Sequence, residues 1–293
     1  MIEVASLRYD VIFKKAFSQP DVFRQFVHDV LGISIKVDKV HTEYKYPETV
    51  GYVDIKYDLF VEDTENRIIV EIQNIKEGDF FDRFLYYHLI GLVEQVKSRV
   101  GYHFEKTVYT IVVLTGISKP KNSNVDFSVA ISDFCPVNER GKKINVYGHR
   151  LVFLNPWLRN EQTPKSVNAW LELIEDSLDE KIDESRYRDS SIFRKVIDEI
   201  KTDSIAPGEL SQIKDEAAWE DVLQTEREEG RMEGRDEGRK TREREIALSM
   251  LQEEINIDLI AKATGLQLEE IKTLKNSLSF ALDSSMKANK IQH

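Results

Sequence analysis

Residues 54–73, D-I-K-Y-D-L-F-V-E-D-T-E-N-R-I-I-V-E-I-Q, set two largely apolar runs on either side of a short polar stretch, and the rest of the chain reads as organised around them. Two runs rich in Ile, Val, Leu, Phe and Tyr flank E-D-T-E-N, a pattern that predicts two β-strands joined by a tight polar turn. A hairpin symmetric about Thr64 and Glu65 pairs residues whose numbers share a constant sum. Asp58 is then expected opposite Glu71, and Lys56 opposite Gln73. Leu59, Val61, Ile68, Val70 and Ile72 fall on one face, while Lys56, Asp58, Glu71 and Gln73 gather on the other. The expectation is one core face and one site face.

The flanking segments supply layers for such a hairpin. Residues 6–31 read as helical, with Ile12, Phe13, Ala16 and Phe17 on one stripe, a break at Ser18-Gln19-Pro20, then Val22, Phe23, Phe26, Val27, Val30 and Leu31 on another, ended by Gly32. Residues 33–46 look extended, and 47–51 form a loop. A long helical pattern covers 80–100, where Tyr86, Leu89, Ile90 and Val93 are expected to pack on the sheet. Residues 107–115, T-V-Y-T-I-V-V-L-T, are a near-continuous apolar run that suits a buried central strand. Further strands are expected near 127–131, 144–147 and 151–154. Strand, long helix and buried strand make an α/β arrangement.

From residue 163 onward the chain turns helical and acidic. Val167, Trp170, Leu171 and Ile174 form one stripe and Ile192, Phe193, Val196, Ile197 and Ile200 another, read as a lid or packing layer before a break at Pro207-Gly208. Residues 226–245 are low-complexity, with glycines 230, 234 and 238 on one helical stripe and Glu and Arg stripes elsewhere. Each glycine costs a helix about 1 kcal/mol relative to alanine, so the readings are a semi-flexible charged linker or helix pairing between protomers. Residues 257–274 have the spacing of a helix-turn-helix, with Gly265 at the turn. Glu269 and Glu270 head its second helix and would repel phosphates, which favours a hairpin for protein contacts over DNA reading. Four regions are expected: 1–160, 161–222, a charged glycine-containing helical linker at 223–250, and a small helical hairpin at 251–293.

Charge changes the picture in one respect. The 293-residue chain carries a formal charge of −11, yet residues 1–160 hold 21 Lys and Arg against 21 Asp and Glu, and residues 161–293 hold 20 against 31. The first part is neutral and can present a local basic cleft. A single cysteine, Cys135, excludes an internal disulfide and a thiol cluster for zinc; its expected role is that of a buried structural thiol in a reducing cytoplasm. The N-terminus lacks a secretory layout and no apolar run approaches the ~18 residues of a membrane span, so a soluble, cytoplasmic protein without membrane contact is expected.

Asp58 and Glu71, with Cβ atoms roughly 5 Å apart across a sheet, repel unless neutralised. A divalent cation with oxygen preference, Mg²⁺ or Mn²⁺, would neutralise them, and the loop residue Glu48 lies close enough in sequence to swing toward it. An ordinary hairpin can carry the same residues, so spacing alone leaves both readings open.

Asp58 followed after thirteen residues by Glu71-x-Gln73 resembles the PD-(D/E)XK nuclease signature in its D…E-x-Q variant. Residues 9–17, Y-D-V-I-F-K-K-A-F, and 83–95, R-F-L-Y-Y-H-L-I-G-L-V-E-Q, resemble flanking motifs of the Rpn-type recombination-promoting nuclease and transposase family of that superfamily, over roughly residues 5–155. The resemblance implies a restriction-endonuclease-like α/β fold, a mixed sheet flanked by helices, followed here by an all-helical C-terminal region. It implies a Mg²⁺- or Mn²⁺-dependent DNA endonuclease linked to recombination or mobile elements, with Asp58, Glu71 and the carbonyl of Ile72 on the metal. Gln73 stands where the signature has lysine; an amide can orient water but carries no charge, and Lys56 is the expected replacement cation. Lys14, Arg83 and Tyr87 are the expected DNA contacts, with Gln95 open between packing and phosphate contact. The alternatives are a catalytically weak or inactive nuclease-fold module that binds DNA or protein, and, for the C-terminal helices, a homo-oligomer contact.

Overall fold

The computed structural model describes residues 1–46, 53, 55–74, 80–96, 103–116 and 125–289. Glu48 and Asp54 lie outside them. In chain order the elements are β1 (Ile2–Glu3), α1 (Asp10–Phe17), α2 (Pro20–Leu31), β2 (His41–Tyr44), β3 (Tyr57–Glu62), β4 (Asn66–Gln73), α3 (Phe80–Val93), β5 (Thr107–Leu114), β6 (Val129–Asp133), β7 (Arg150–Leu154), α4 (Lys165–Leu178), β8 (Lys181–Ile182), α5 (Ser191–Ile200), α6 (Pro207–Gln252), α7 (Ile257–Thr264) and α8 (Leu268–Asn289). They divide into two compact units, Met1–Ala217 and Ala218–His293.

The first unit is built on a six-stranded mixed sheet of order β2-β3-β4-β5-β7-β6. The β3–β4 hairpin has the register its symmetric turn dictates: Leu59 pairs with Val70, Phe60 with Ile69, Val61 with Ile68 and Glu62 with Arg67. The last paired rung toward the open end is Leu59–Val70, so 58–71 and 56–73 lie beyond the ladder. β4, β5 and β7 run parallel, with β5 between the other two. Its residues 108 and 111–114 are all buried, as a strand covered on both faces requires.

Both faces of the sheet are apolar, which corrects the division into a core face and a site face. Leu59, Val61, Ile68 and Val70 join Ile111, Val113, Val152 and Leu154 in a core shared with α1, α2, α4 and α5. The opposite face carries Tyr57, Phe60 and Ile69 with Ile90 and Leu92 of α3, and Phe84 with Val112, Leu114, Leu151 and Phe153. That second face carries polar residues too: Glu71 and Gln73 at its open end, Arg67 with Glu62 toward the turn, and the His88–Thr110 hydrogen bond between α3 and β5. α3 sits close because Gly91 faces the sheet: a Cβ there would lie 3.1 Å from Ile69 Cδ1. This rotation buries Phe84, His88 and Leu92 and leaves Leu89 and Val93, expected to pack, 41% and 48% exposed.

Local chemistry sets the boundaries. Pro20 opens α2, where its missing N–H leaves no bond unmade, and Gly32 closes it at φ 69, a left-handed conformation that costs glycine little. The expected strand at 144–147 does not form; Ile144, Val146 and Tyr147 are exposed. β7 already has neighbours on both edges, and a turn organised by the Asn138 side chain, which accepts from the N–H groups of Arg140 and Lys142, takes up the connection. Cys135 is half-buried rather than buried, its thiol against the Tyr147 carbonyl.

The second unit is all-helical. α6, 46 residues long, runs through glycines 230, 234 and 238 without a break. Ion pairs such as Arg239 with Asp236 and Glu243 support it. Ala247, Leu251, Ile260, Leu266 and Ile271 bury a small core with α7 and α8. Gly265 takes φ 74 between them, and the Glu270 carboxylate accepts from the N–H of Gln267 at the start of α8. Among the described residues no helix is long and apolar enough to cross a membrane.

Candidate functional site

At the open end of the hairpin the paired backbone gives way to side chains. Asp58 Oδ2 accepts the Ile72 N–H at 3.0 Å, and the Asp58 N–H donates to Glu71 Oε1 at 3.3 Å. The two carboxylates therefore close the ladder that backbone groups would otherwise extend. In a strand the N–H and C=O of one residue point the same way, so the Ile72 carbonyl also faces the Asp58 side. Glu71 is 2% exposed and Gln73 3%.

Burial and like charge perturb both acids. Burial first, then the neighbouring Asp10 carboxylate, push Asp58 up to about 6 against the pull of Lys14 and the Ile72 N–H. Burial, then the Asp58 charge, holds Glu71 well above the ordinary glutamate range. Carboxylates in this condition lack a sufficient counter-charge.

The nearest cation is Lys14, from α1. Its ammonium lies 3.6 Å from Asp58 Oδ1, 2.6 Å from Asp10 Oδ2 and 3.2 Å from Glu43 Oε1. Burial opposes its charge, but Asp58, Asp10 and Glu43 outweigh burial and raise its pKa. Lys56 instead directs its ammonium to Glu43 Oε2, at 2.6 Å, and is 45% exposed. Lys56 would stand beside the carboxylates only if the ladder ran past its last rung, and the chain leaves that register before residue 56.

On the α3 side, Arg83 donates to Gln73 Oε1 at 3.4 Å, and its guanidinium lies 5.3 Å from the ring centres of both Phe84 and Tyr87. One helical turn brings Arg83 and Tyr87 together as the spacing predicts. Tyr87 also packs edge-on against Tyr57, whose hydroxyl donates to the Tyr87 carbonyl. Gln95 bridges the Lys106 backbone with both ends of its amide, a packing role.

The sequence gives little or no sign of two further acids at the site. Asp10 stands out only as part of a motif, although an acid in the first turn of α1, four residues before Lys14, signals the i, i+4 pair. Glu43 gives no signal. β2 pairs Thr42 with Leu59 and Tyr44 with Tyr57, which puts Glu43 level with Asp58, and only the fold brings them together.

The donor set suits a hard divalent cation in kind: two desolvated carboxylates and a carbonyl oxygen, without thiols. In number it is sparse. Among the described residues no group of three or more His, Cys, Asp and Glu is arranged to hold a metal ion.

No curated protein and no solved structure matches the chain. Residues 7–221 match the family described as PD-(D/E)XK nuclease family transposase, a span that takes in the sheet, α1 to α5 and the start of α6. With the hairpin, the acidic pair and the mixed sheet in place, the chain belongs to the PD-(D/E)XK nuclease family transposases.

Proposed function

We propose that this protein engages DNA through its nuclease-fold core as a binding module whose hydrolytic turnover is weak or absent. One observation carries the reading. Asp58 and Glu71 hydrogen-bond across the hairpin, both are starved of counter-charge, and Gln73 replaces the lysine that would supply it. Bound there, Mg²⁺ or Mn²⁺ would be held by Asp58, Glu71 and the Ile72 carbonyl and would supply Lewis-acid activation of a phosphodiester and water. Burial of Glu71 and its bond to the Asp58 N–H oppose opening the pair to a metal. Lys14, Arg83 and Lys56 are the cations this end of the hairpin would offer to backbone phosphates.

A second reading, a metal-dependent DNA endonuclease of recombination or mobile elements, is favoured by Lys14. Its ammonium beside Asp58 offers the charge that Gln73 lacks, from a helix rather than from the strand. Supercoiled plasmid incubated with Mg²⁺, Mn²⁺ or EDTA, on wild type and Asp58→Ala, separates the two. The binding module retards DNA and nicks it no faster than Asp58→Ala. Nicking that EDTA stops and Asp58→Ala lacks establishes the endonuclease; Lys14→Ala should then lower the rate by about 10²-fold, the scale of one preorganised charge, and Lys56→Ala much less.

A further inference from the structure

Glu43 stands in the middle of β2 at φ 54, a left-handed conformation that L-residues with bulky side chains avoid and that is strained inside a strand. Such strain persists when something holds the residue in place. Here the two ends of the Glu43 carboxylate are held separately: Oε1 by Lys14 and Oε2 by Lys56. The Lys56 hydrogen bond, chiefly, and then Lys14, keep Glu43 below the ordinary glutamate range.

An anion with two oxygens that spans two ammonium groups is the arrangement a backbone phosphodiester makes with a lysine pair. We propose that Lys14 and Lys56 form a phosphodiester seat beside Asp58, and that in the free protein the Glu43 carboxylate occupies it as an intramolecular competitor. A DNA strand displaces Glu43, and the backbone at residue 43 relaxes as the carboxylate leaves, which lowers the cost of displacement. Glu43 is thus a brake on DNA binding, set by the strand that carries it. The inference rests on the reading that this end of the hairpin meets DNA.

The test is binding of a short DNA duplex by the full-length protein across a salt series. Glu43→Gln keeps the side-chain length and removes the charge that competes with phosphate. Glu65→Gln, an exposed turn residue at the other end of the hairpin, makes the same change in net charge and is the control. Glu43→Gln should tighten binding at least tenfold more than Glu65→Gln and steepen the log–log salt dependence by about 1–2, the increment for one or two further phosphates neutralised. Lys14→Ala combined with Lys56→Ala should cancel that gain. Equal affinities of Glu43→Gln and Glu65→Gln, or no binding by any form, overturn the inference. If the double lysine variant binds as wild type does with an unchanged slope, DNA is held elsewhere and the underlying reading falls with it; a flatter slope without gain in Glu43→Gln sinks only the brake.

Discussion

At the scale of single residues, the acidic pair acts on stability through its protons. The folded pKa of Asp58, about 6, lies above its unfolded value near 3.8. Between these values the folded state binds more protons than the unfolded one, so stability falls as pH rises from about 4 to 6, by up to about 1.4 kcal/mol per pH unit for that proton. Glu71, raised as well, adds to the fall in the same direction. Asp58→Asn retains an oxygen for the Ile72 N–H and removes the charge. In EDTA it should unfold at higher urea than wild type at pH 7, with the difference shrinking below pH 4. A variant less stable than wild type at pH 7 would assign Asp58 to holding the hairpin together instead.

At the scale of elements, one buried cation ties the hairpin to the helix behind it. Arg67 of β4 is 6% exposed and pairs with Glu62 at 2.7 Å and Glu94 at 2.9 Å. It also donates to the Gly91 carbonyl near the end of α3 at 2.7 Å, where a cation favours the helix dipole. Tyr46 and Phe60 present their ring faces to the same guanidinium. Removing one partner of such a group strands the others, so Arg67→Ala should cost about 3–5 kcal/mol in urea unfolding. Lysine cannot reproduce the planar fork, and Arg67→Lys should recover less than half. A loss below about 1 kcal/mol would show that α3 is fixed by Phe84, Ile90 and Gly91 alone.

At the scale of the molecule, α4 and α5 share the large core with the sheet, through Val167, Trp170, Leu171, Ile174, Val196, Ile197 and Ile200. The start of α6 joins them: Ile213 and Ala217 pack there, and the Glu216 carboxylate accepts the Asp10 N–H at the head of α1. A chain ending at residue 222 keeps all of these and should fold cooperatively, with a thermal midpoint within a few degrees of the longer chain's. It should also retain DNA binding, because Lys14, Lys56 and Arg83 all precede that point. Loss of folding would make the second unit part of the first unit's core; loss of DNA binding at equal folding would place DNA capture in the C-terminal helices.

The sequence by itself determined what local chemistry controls. A symmetric polar turn between two apolar runs specified the β3–β4 register from Leu59 to Glu62, and the apolar run at 107–115 specified a central strand. The break at Pro20 and the left-handed glycines 32 and 265 followed from backbone sterics. The mixed sheet with an all-helical region after it, and the family, were legible because strand period and motif order survive in one dimension. Tertiary structure decided what depends on approach from elsewhere in the chain. The hairpin pattern named Asp58 and Glu71 but could not show that the ladder stops at Leu59, because its end is set by side chains that cap it. Lys56 looked like the partner cation by parity, while Lys14 from a helix and Glu43 from the edge strand in fact converge there, and separation in sequence hid both. The second apolar face was equally hidden: Phe60 and Ile69 alternate with the first set, and only the docking of α3 at Gly91 turns that face into core.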